Sequence, residues 1–174
     1  MPVLMREPYP DEVEALLERR RLLGLDTFDE VWDGVLHIVS PGPSYDHGRI
    51  VQALAESLPP LARRAGLEAV LQPVNIGFSS DNFRVPDGGL FPRGTAGTWL
   101  PTAALVVEVR SANDESWEKL RFYAAHQVDE VLIIEPDNRA IHWLGLHDDG
   151  YAPIERSTVI DLGPADLPSV LGWS

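Results

Sequence analysis

Residues 105–135 read LVVEVRSANDESWEKLRFYAAHQVDEVLIIE. The two ends, LVVEV and EVLII, are apolar on both sides of an extended chain, so they read as buried strands of a sheet covered on both faces. Between them, SANDESWEKLRFYAAHQV reads as a helix capped by Asn113 or Asp114, with Trp117, Leu120 and Ala124 facing inward. Glu108 is the misfit. A buried carboxylate costs several kcal/mol unless a cation neutralises it, and the nearby cations are Arg110, two residues on, and Lys119 in the opening turns of the helix. Lys119 is the only lysine among 174 residues, against thirteen arginines. A surface pair with Glu115 at i, i+4 is worth about 0.3–0.5 kcal/mol and arginine would serve it as well. A compact amine whose pKa can move is something arginine does not provide.

Outward from this stretch, periodicity gives the remaining elements. Asp11 to Leu23 reads as a helix with a basic last turn at Arg19 to Arg21 and a stop at Gly24. TFDEVWDG and VLHIVSPG read as a hairpin turning at Asp33-Gly34. HGRIVQALAESL reads as a second helix, capped by Ser44 or Asp46, which Pro59-Pro60 should kink or end with one further turn to follow. LEAVLQPVNIGF and NFRVPDGGLF read as strands, the second containing Asp87, and a loop at 93–102 leads into LVVEV. IHWLGLHDDG and YAPIERS form a hairpin across Asp149-Gly150, and 157–174 reads as an irregular tail. The order predicts an α/β sandwich with a mixed sheet.

Composition narrows the classes. The length fits one domain over 1–174, with 1–26 as an N-terminal helical segment. A net charge of -13 argues against a general nucleic-acid coat protein, because polyanions are repelled at long range. With no cysteine there are no disulfides, thiolate zinc sites or cysteine nucleophiles, and a reducing cytoplasm is compatible. No apolar run is long enough for a signal peptide or a bilayer span, so the expectation is a soluble cytoplasmic protein without membrane contact. The five tryptophans read as core or interface, since base-stacking aromatics normally have basic neighbours.

Asp87 and Glu108, on neighbouring strands and facing one cavity, are a pair that a hard divalent cation uses, with water and phosphate filling the other positions. A lysine beside them can orient an attacking water and steady negative charge developing on phosphorus. Residue types alone leave a second reading open, a buried ion triad of Asp87, Glu108 and Lys119 with no ligand.

The motifs add a resemblance. FDEVWDGVLHIVSPGPSYDHGRI, VPDGGLF and LVVEVRSANDESWEKLRFYAAHQVDEVLIIEPD, with the hairpin after them, follow one another from about residue 27 to residue 156. In that order they resemble the Uma-two (Uma2) family of "putative restriction endonucleases", in the PD-(D/E)XK nuclease superfamily. The resemblance implies a restriction-endonuclease-like three-layer sandwich with a central mixed sheet and an additional C-terminal hairpin. It implies a Mg2+-dependent (or Mn2+-dependent) endonuclease hydrolysing DNA phosphodiester bonds, possible as a homodimer. Asp87 and Glu108 become the metal ligands, Lys119 the helix-borne catalytic lysine and Glu30 a further catalytic carboxylate. His47, at a helix start, and Arg110, able to clamp a phosphate or pair with Glu108, become substrate-binding residues. The sequence also departs from the family pattern: Ser111-Ala112-Asn113 shortens the loop before the helix, and Gly88-Gly89 follow Asp87 where apolar residues are usual. The alternative is a catalytically inactive nuclease fold acting as a protein-interaction or regulatory binding module, which the net charge favours because phosphate neutralisation supplies most DNA affinity.

Overall fold

The computed structural model describes residues 3–39, 44–111 and 115–173. In chain order the elements are β1 (Val3–Arg6), α1 (Asp11–Leu22), β2 (Glu30–Trp32), β3 (Val35–Ile38), α2 (Tyr45–Arg64), β4 (Leu67–Val70), β5 (Asn75–Ser79) and β6 (Asn82–Arg84). They continue with β7 (Gly88–Pro92), β8 (Trp99–Leu100), β9 (Leu105–Val109), α3 (Leu120–Ala125), β10 (Glu130–Glu135), β11 (Ala140–His147), β12 (Gly150–Pro153) and α4 (Leu167–Val170). The apolar strands β9 and β10 lie parallel at the heart of a mixed sheet ordered β12-β11-β10-β9-β7-β4. A second mixed sheet runs β1-β3-β2-β6-β5-β8.

Alternation along β9 builds the layers. Leu105, Val107 and Val109 meet Ile50, Leu54, Leu58 and Ala62 of α2 on one face. Val106, with Val131 and Ile133 of β10, meets Phe122 and Tyr123 of α3 and Ile76 and Leu100 of the second sheet on the other. The main sheet is thus the middle layer, with α2 on one side and α3 plus the second sheet on the other. The hairpin β11–β12 extends it at the C-terminal end, turning at Asp148-Asp149 with His147 opposite Gly150.

Several elements depart from the sequence-based expectation. The two strands read through LEAVLQPVNIGF and NFRVPDGGLF each divide, β4 and β7 joining the main sheet while β5 and β6 join the second. Proline marks both crossings, Pro73 and Pro86, since neither can donate to a ladder. Asp87 therefore precedes β7 instead of lying within a strand. Helix α2 starts with Ser44 Oγ accepting from His47 N at 3.1 Å, and it runs through Pro59 and Pro60 without ending. Leu58 and Ala62, flanking the prolines, are fully buried, whereas Glu56 and Pro60 face solvent, where water can satisfy the carbonyl that Pro60 leaves without a donor. Helix α3 is shorter than expected: 116–119 form turns, and the caps proposed at Asn113 and Asp114 lie outside the described residues. Its buried side is Lys119, Phe122 and Tyr123, while Trp117, Leu120 and Ala124 are only partly covered. Within 157–174, Ile160, Leu162, Leu167 and Leu171 enter the core and α4 forms. The spacing of these apolar residues follows the surface they cover more than any regular period.

Glycine decides how closely the sheet closes beside Asp87. A Cβ on Gly88 would come within 2.5 Å of the Val70 carbonyl oxygen, and one on Gly89 within 2.5 Å of that of Leu105. The Gly88-Gly89 departure from the family pattern is thus a close approach of backbones, β7 being pressed between β4 and β9.

Candidate active site

The pairing of β7 with β9 sets Gly88 opposite Val107 and Gly89 opposite Val106. Asp87 comes one step beyond that register, level with Glu108 along the chain of β9, where the strands part. Asp87 Oδ2 accepts from the Val109 backbone N–H at 2.7 Å, taking over a ladder bond that the end of β7 no longer makes. Its Oδ1 lies 3.0 Å from Nε2 of His47, which the first turn of α2 delivers to this spot.

Glu108 is 2 % exposed and held from α3. The Tyr123 hydroxyl donates to Oε1 at 2.5 Å, and Lys119 Nζ lies 3.1 Å from Oε1 and 3.2 Å from Oε2. Lys119 and Tyr123 are four residues apart, so one helical face presents both, the hydroxyl and the ammonium meeting the same carboxylate. Burial pushes the Tyr123 hydroxyl well above the usual tyrosine range, and the charges of Glu108 and Glu30 push it the same way, so it stays a proton donor.

Glu30 enters from β2 and joins the two sheets. Its Oε1 lies 2.8 Å from Lys119 Nζ and accepts from the Val85 N–H at 2.7 Å, and its Oε2 accepts from Trp32 Nε1 at 2.6 Å. Lys119 is thereby held between Glu30 and Glu108, all three nearly excluded from solvent. The hairpin itself forms where expected, because Asp33 (φ 49°) and Gly34 (φ 78°) both take the left-handed conformation of the tightest two-residue turn.

Besides Tyr123, two further participants were not singled out from the sequence. Arg84, on β6 three residues before Asp87, is 4 % exposed, its guanidinium lying between the rings of Trp32 at 4.3 Å and Phe122 at 4.1 Å. Its Nη1 donates to the carbonyls of Val31 and Phe83 and to Asn82 Oδ1, each at 3.0 Å. Burial draws its pKa down and the nearby Glu30 charge raises it. His37, the cross-strand partner of Glu30, stacks on Trp32 at 4.2 Å and bonds Glu115 Oε2 at 3.0 Å. For Arg84 the available signal was a cation inside a strand next to the PD pair; for Tyr123 it was the i, i+4 spacing from Lys119.

Of the residues singled out beforehand, Glu30, Lys119 and Glu108 are bonded to one another, and Asp87 is bonded to His47 and to the backbone of Val109, the residue after Glu108. Arg110 donates from Nη1 to Glu135 Oε1 at 2.7 Å, which ties it to the end of β10. Among the described residues no group of three or more histidines, cysteines or acids is arranged to hold a metal ion. Two hard carboxylates, Glu30 and Glu108, meet Lys119, and Asp87 adds a third one step beyond the end of β7, held by His47 and the Val109 N–H. Asp87 and Glu108, two hard oxygen donors with few other protein ligands, fit a hard divalent cation that keeps most of its water.

Residues 7–171 match the family model Uma2, described as "Putative restriction endonuclease". No curated protein sequence matches the chain. Six chains of solved structures match. One, described as a "putative nuclease belonging to DUF820" from Anabaena variabilis, aligns with a TM-score of 0.61 over 82 % of this chain and 90 % of that one. At 16 % identity the likeness is one of fold. A second, from a DrdV–DNA complex, has a TM-score of 0.35 and 14 % identity over 73 % of this chain and 13 % of its own, and carries no argument.

Proposed function

Because the chain belongs to the Uma2 family, we propose that it is a metal-dependent endonuclease that hydrolyses DNA phosphodiester bonds, working in the cytoplasm as a single nuclease-like domain. The observation that carries this reading is the register that brings Asp87 level with Glu108 at a parting of strands, with Lys119 Nζ 3.1 Å from Glu108. Asp87 and Glu108 would hold Mg2+ or Mn2+. A bound divalent cation neutralises phosphate charge and lowers the pKa of a coordinated water.

The chain's own residues supply the rest. His47 fixes the rotamer of Asp87 through its 3.0 Å contact, and Tyr123 fixes that of Glu108. Lys119, paired with two carboxylates, is placed to orient a water by hydrogen bonding and to offset negative charge on the phosphate. Glu30 keeps that side chain in place and, through Val85 and Trp32, is itself kept in place. Arg110, partly exposed at the strand ends, is suited to a neighbouring phosphate.

One observation favours a second reading, a non-catalytic binding module. Lys119 is already engaged by two buried carboxylates, as in a closed ion triad. Incubating supercoiled and single-stranded DNA with Mg2+ or Mn2+, alongside calorimetric titration of Mn2+, separates the two. The Asp87→Asn variant keeps the size of a partly exposed side chain, and circular dichroism reports its folding. Metal-dependent cleavage by the wild type, reduced about 100-fold or more in Asp87→Asn together with Mn2+ affinity, supports the nuclease. A folded wild type that binds no Mn2+ and cuts neither DNA refutes it and leaves the binding module.

A further inference from the structure

Alternation along the second sheet turns one set of side chains inward and leaves another facing away. Ile76 of β5 and Arg84 of β6 pack against α3, on the side of the carboxylate group. Asn75 and Phe83, one residue earlier on each strand, therefore face the other way. The parallel register of β5 with β8 sets Trp99 level with Asn75. Together with Asp26, from the loop that follows α1, these three line an open cavity of about 470 Å3. Cavities of about 300–1,000 Å3 are those in which proteins hold small organic molecules.

The chemistry of the lining narrows the ligand. Phe83 and Trp99 meet edge to face, with ring centroids 4.9 Å apart and planes at 61°, which builds an aromatic corner in which a flat ring can stack. Asn75 spends one Nδ2 hydrogen on the Thr98 carbonyl at 3.1 Å. Among the described residues nothing bonds its Oδ1 or its second N–H, so an acceptor and a donor stand side by side on one planar group. The Asp26 carboxylate likewise has no partner among the described residues. No lysine or arginine lines the cavity, and the second acid there, Asp29, is already paired with Arg20. Such a lining repels an anion and suits an uncharged ring edged with N–H groups. An asparagine amide matches the amino group and neighbouring ring nitrogen of adenine with two hydrogen bonds.

We infer that this cavity binds an adenine nucleoside, its base stacked on Trp99 and bonded along its edge by Asn75, with Asp26 accepting from the ribose hydroxyls. A strand's phosphates would need cations that the lining lacks, so the ligand is a free nucleoside and not a base of a cleaved strand. The site backs onto the carboxylate group. Asp29 directly precedes Glu30, and Val85, another wall of the cavity, gives its N–H to Glu30 Oε1 at 2.7 Å. The inference stands apart from the nuclease reading, and its test contains neither metal nor DNA.

Adenosine titrated into the wild type is expected to quench tryptophan emission saturably, half complete at about 1 mM or below. Trp99→Phe keeps a ring for stacking and should lose the quenching, because Trp99 is the tryptophan that lines the cavity. Asn75→Ala should weaken binding at least tenfold and Asp26→Asn at least threefold, with circular dichroism unchanged, since neither side chain is fully buried. Thymidine, which lacks the amino group, and adenosine monophosphate, whose phosphate meets an acidic lining, should each bind at least tenfold more weakly than adenosine. If Asn75→Ala fails to fold, the thymidine comparison tests the same amide in the native chain. No saturable quenching up to about 10 mM adenosine overturns the proposal. So does quenching that survives in Trp99→Phe, thymidine or the monophosphate binding as tightly as adenosine, or an affinity indifferent to Asn75→Ala.

Discussion

Glu30 shows how a single side chain is fixed in place by its neighbours. Every group that meets its carboxylate is a donor: Lys119 and the Val85 N–H at one oxygen, the Trp32 indole at the other. Glu30→Gln must point its amide nitrogen at one of them, and is expected to lower stability by about 1–3 kcal/mol in urea denaturation. Lys119→Met leaves Glu30 and Glu108 buried without their cation and should cost about 3–5 kcal/mol; a cost near zero in the same measurement rules out the buried triad geometry. Glu135 gives a pH signature. Hydrogen bonds from Arg110 first, then Asn138 and Trp117, hold its pKa below the ordinary 4.5. Its contribution is therefore present above that unfolded value and lost as pH falls through the lower folded one. Glu135→Gln should flatten the stability curve below pH 4.5, and an unchanged acid limb would contradict the assigned bonds. At this scale the sequence was most legible where chemistry conflicted with context: Glu108 stood out in an apolar strand, and Lys119 as the lone lysine. Arg84 was not legible, because what retains a buried guanidinium there is the pair of rings from Trp32 and Phe122, 52 and 38 residues away.

Elements were readable where local and tertiary preferences agree, and misread where burial overrides the local signal. The Asp33-Gly34 turn, the Ser44 cap and the buried strands β9 and β10 follow from local chemistry and pattern. The passage of α2 through two prolines does not, because Leu58 and Ala62 are held by a sheet that the helix sequence alone does not contain. Nor does the division of two apparent strands between two sheets, which each segment resolves only by finding partners. The interval between β6 and β7 is the element that matters for chemistry, since it delivers Asp87 to the end of a strand, level with Glu108. Gly89 guards that delivery. Gly89→Ala forces a methyl group to 2.5 Å from the Leu105 carbonyl and should cost about 1–3 kcal/mol. Gly94→Ala, at a position with open space and φ of 79°, separates strain from contact: it carries the backbone penalty alone, about 1 kcal/mol. Equal losses at both positions would show that the β7–β9 approach is looser than described.

For the whole molecule, the family match and the solved neighbour agree with the layered architecture that the strand–helix–strand stretch predicts. What composition left open was how the acidic excess is arranged; the described structure gathers part of it, with Glu108 and Glu30 on Lys119 and Asp87 bonded to the backbone of the residue after Glu108. No helix among the described residues is long and apolar enough to cross a membrane. A net charge of -13 repels itself, so thermal stability should rise by a few degrees between about 10 mM and 150 mM NaCl, as the Debye length shrinks from roughly 30 to 8 Å. Residues 157–171 were underrated because their apolar side chains follow no helix or strand period, yet they close the core over α2. They also complete the bonding of Glu130, which is 1 % exposed and accepts from the Ser157 hydroxyl at 2.6 Å, the Thr158 N–H at 2.6 Å and hydroxyl at 2.9 Å, and Trp143 Nε1 at 2.8 Å. Glu130 begins β10, the strand beside Glu108, so its state reaches the middle of the main sheet. During translation, every residue of the carboxylate group leaves the ribosome before Thr158 does. A nascent chain that ends before Ser157 leaves the buried Glu130 carboxylate only the Trp143 indole among these donors, so the start of β10 is fully satisfied only after the segment that follows the hairpin has been added.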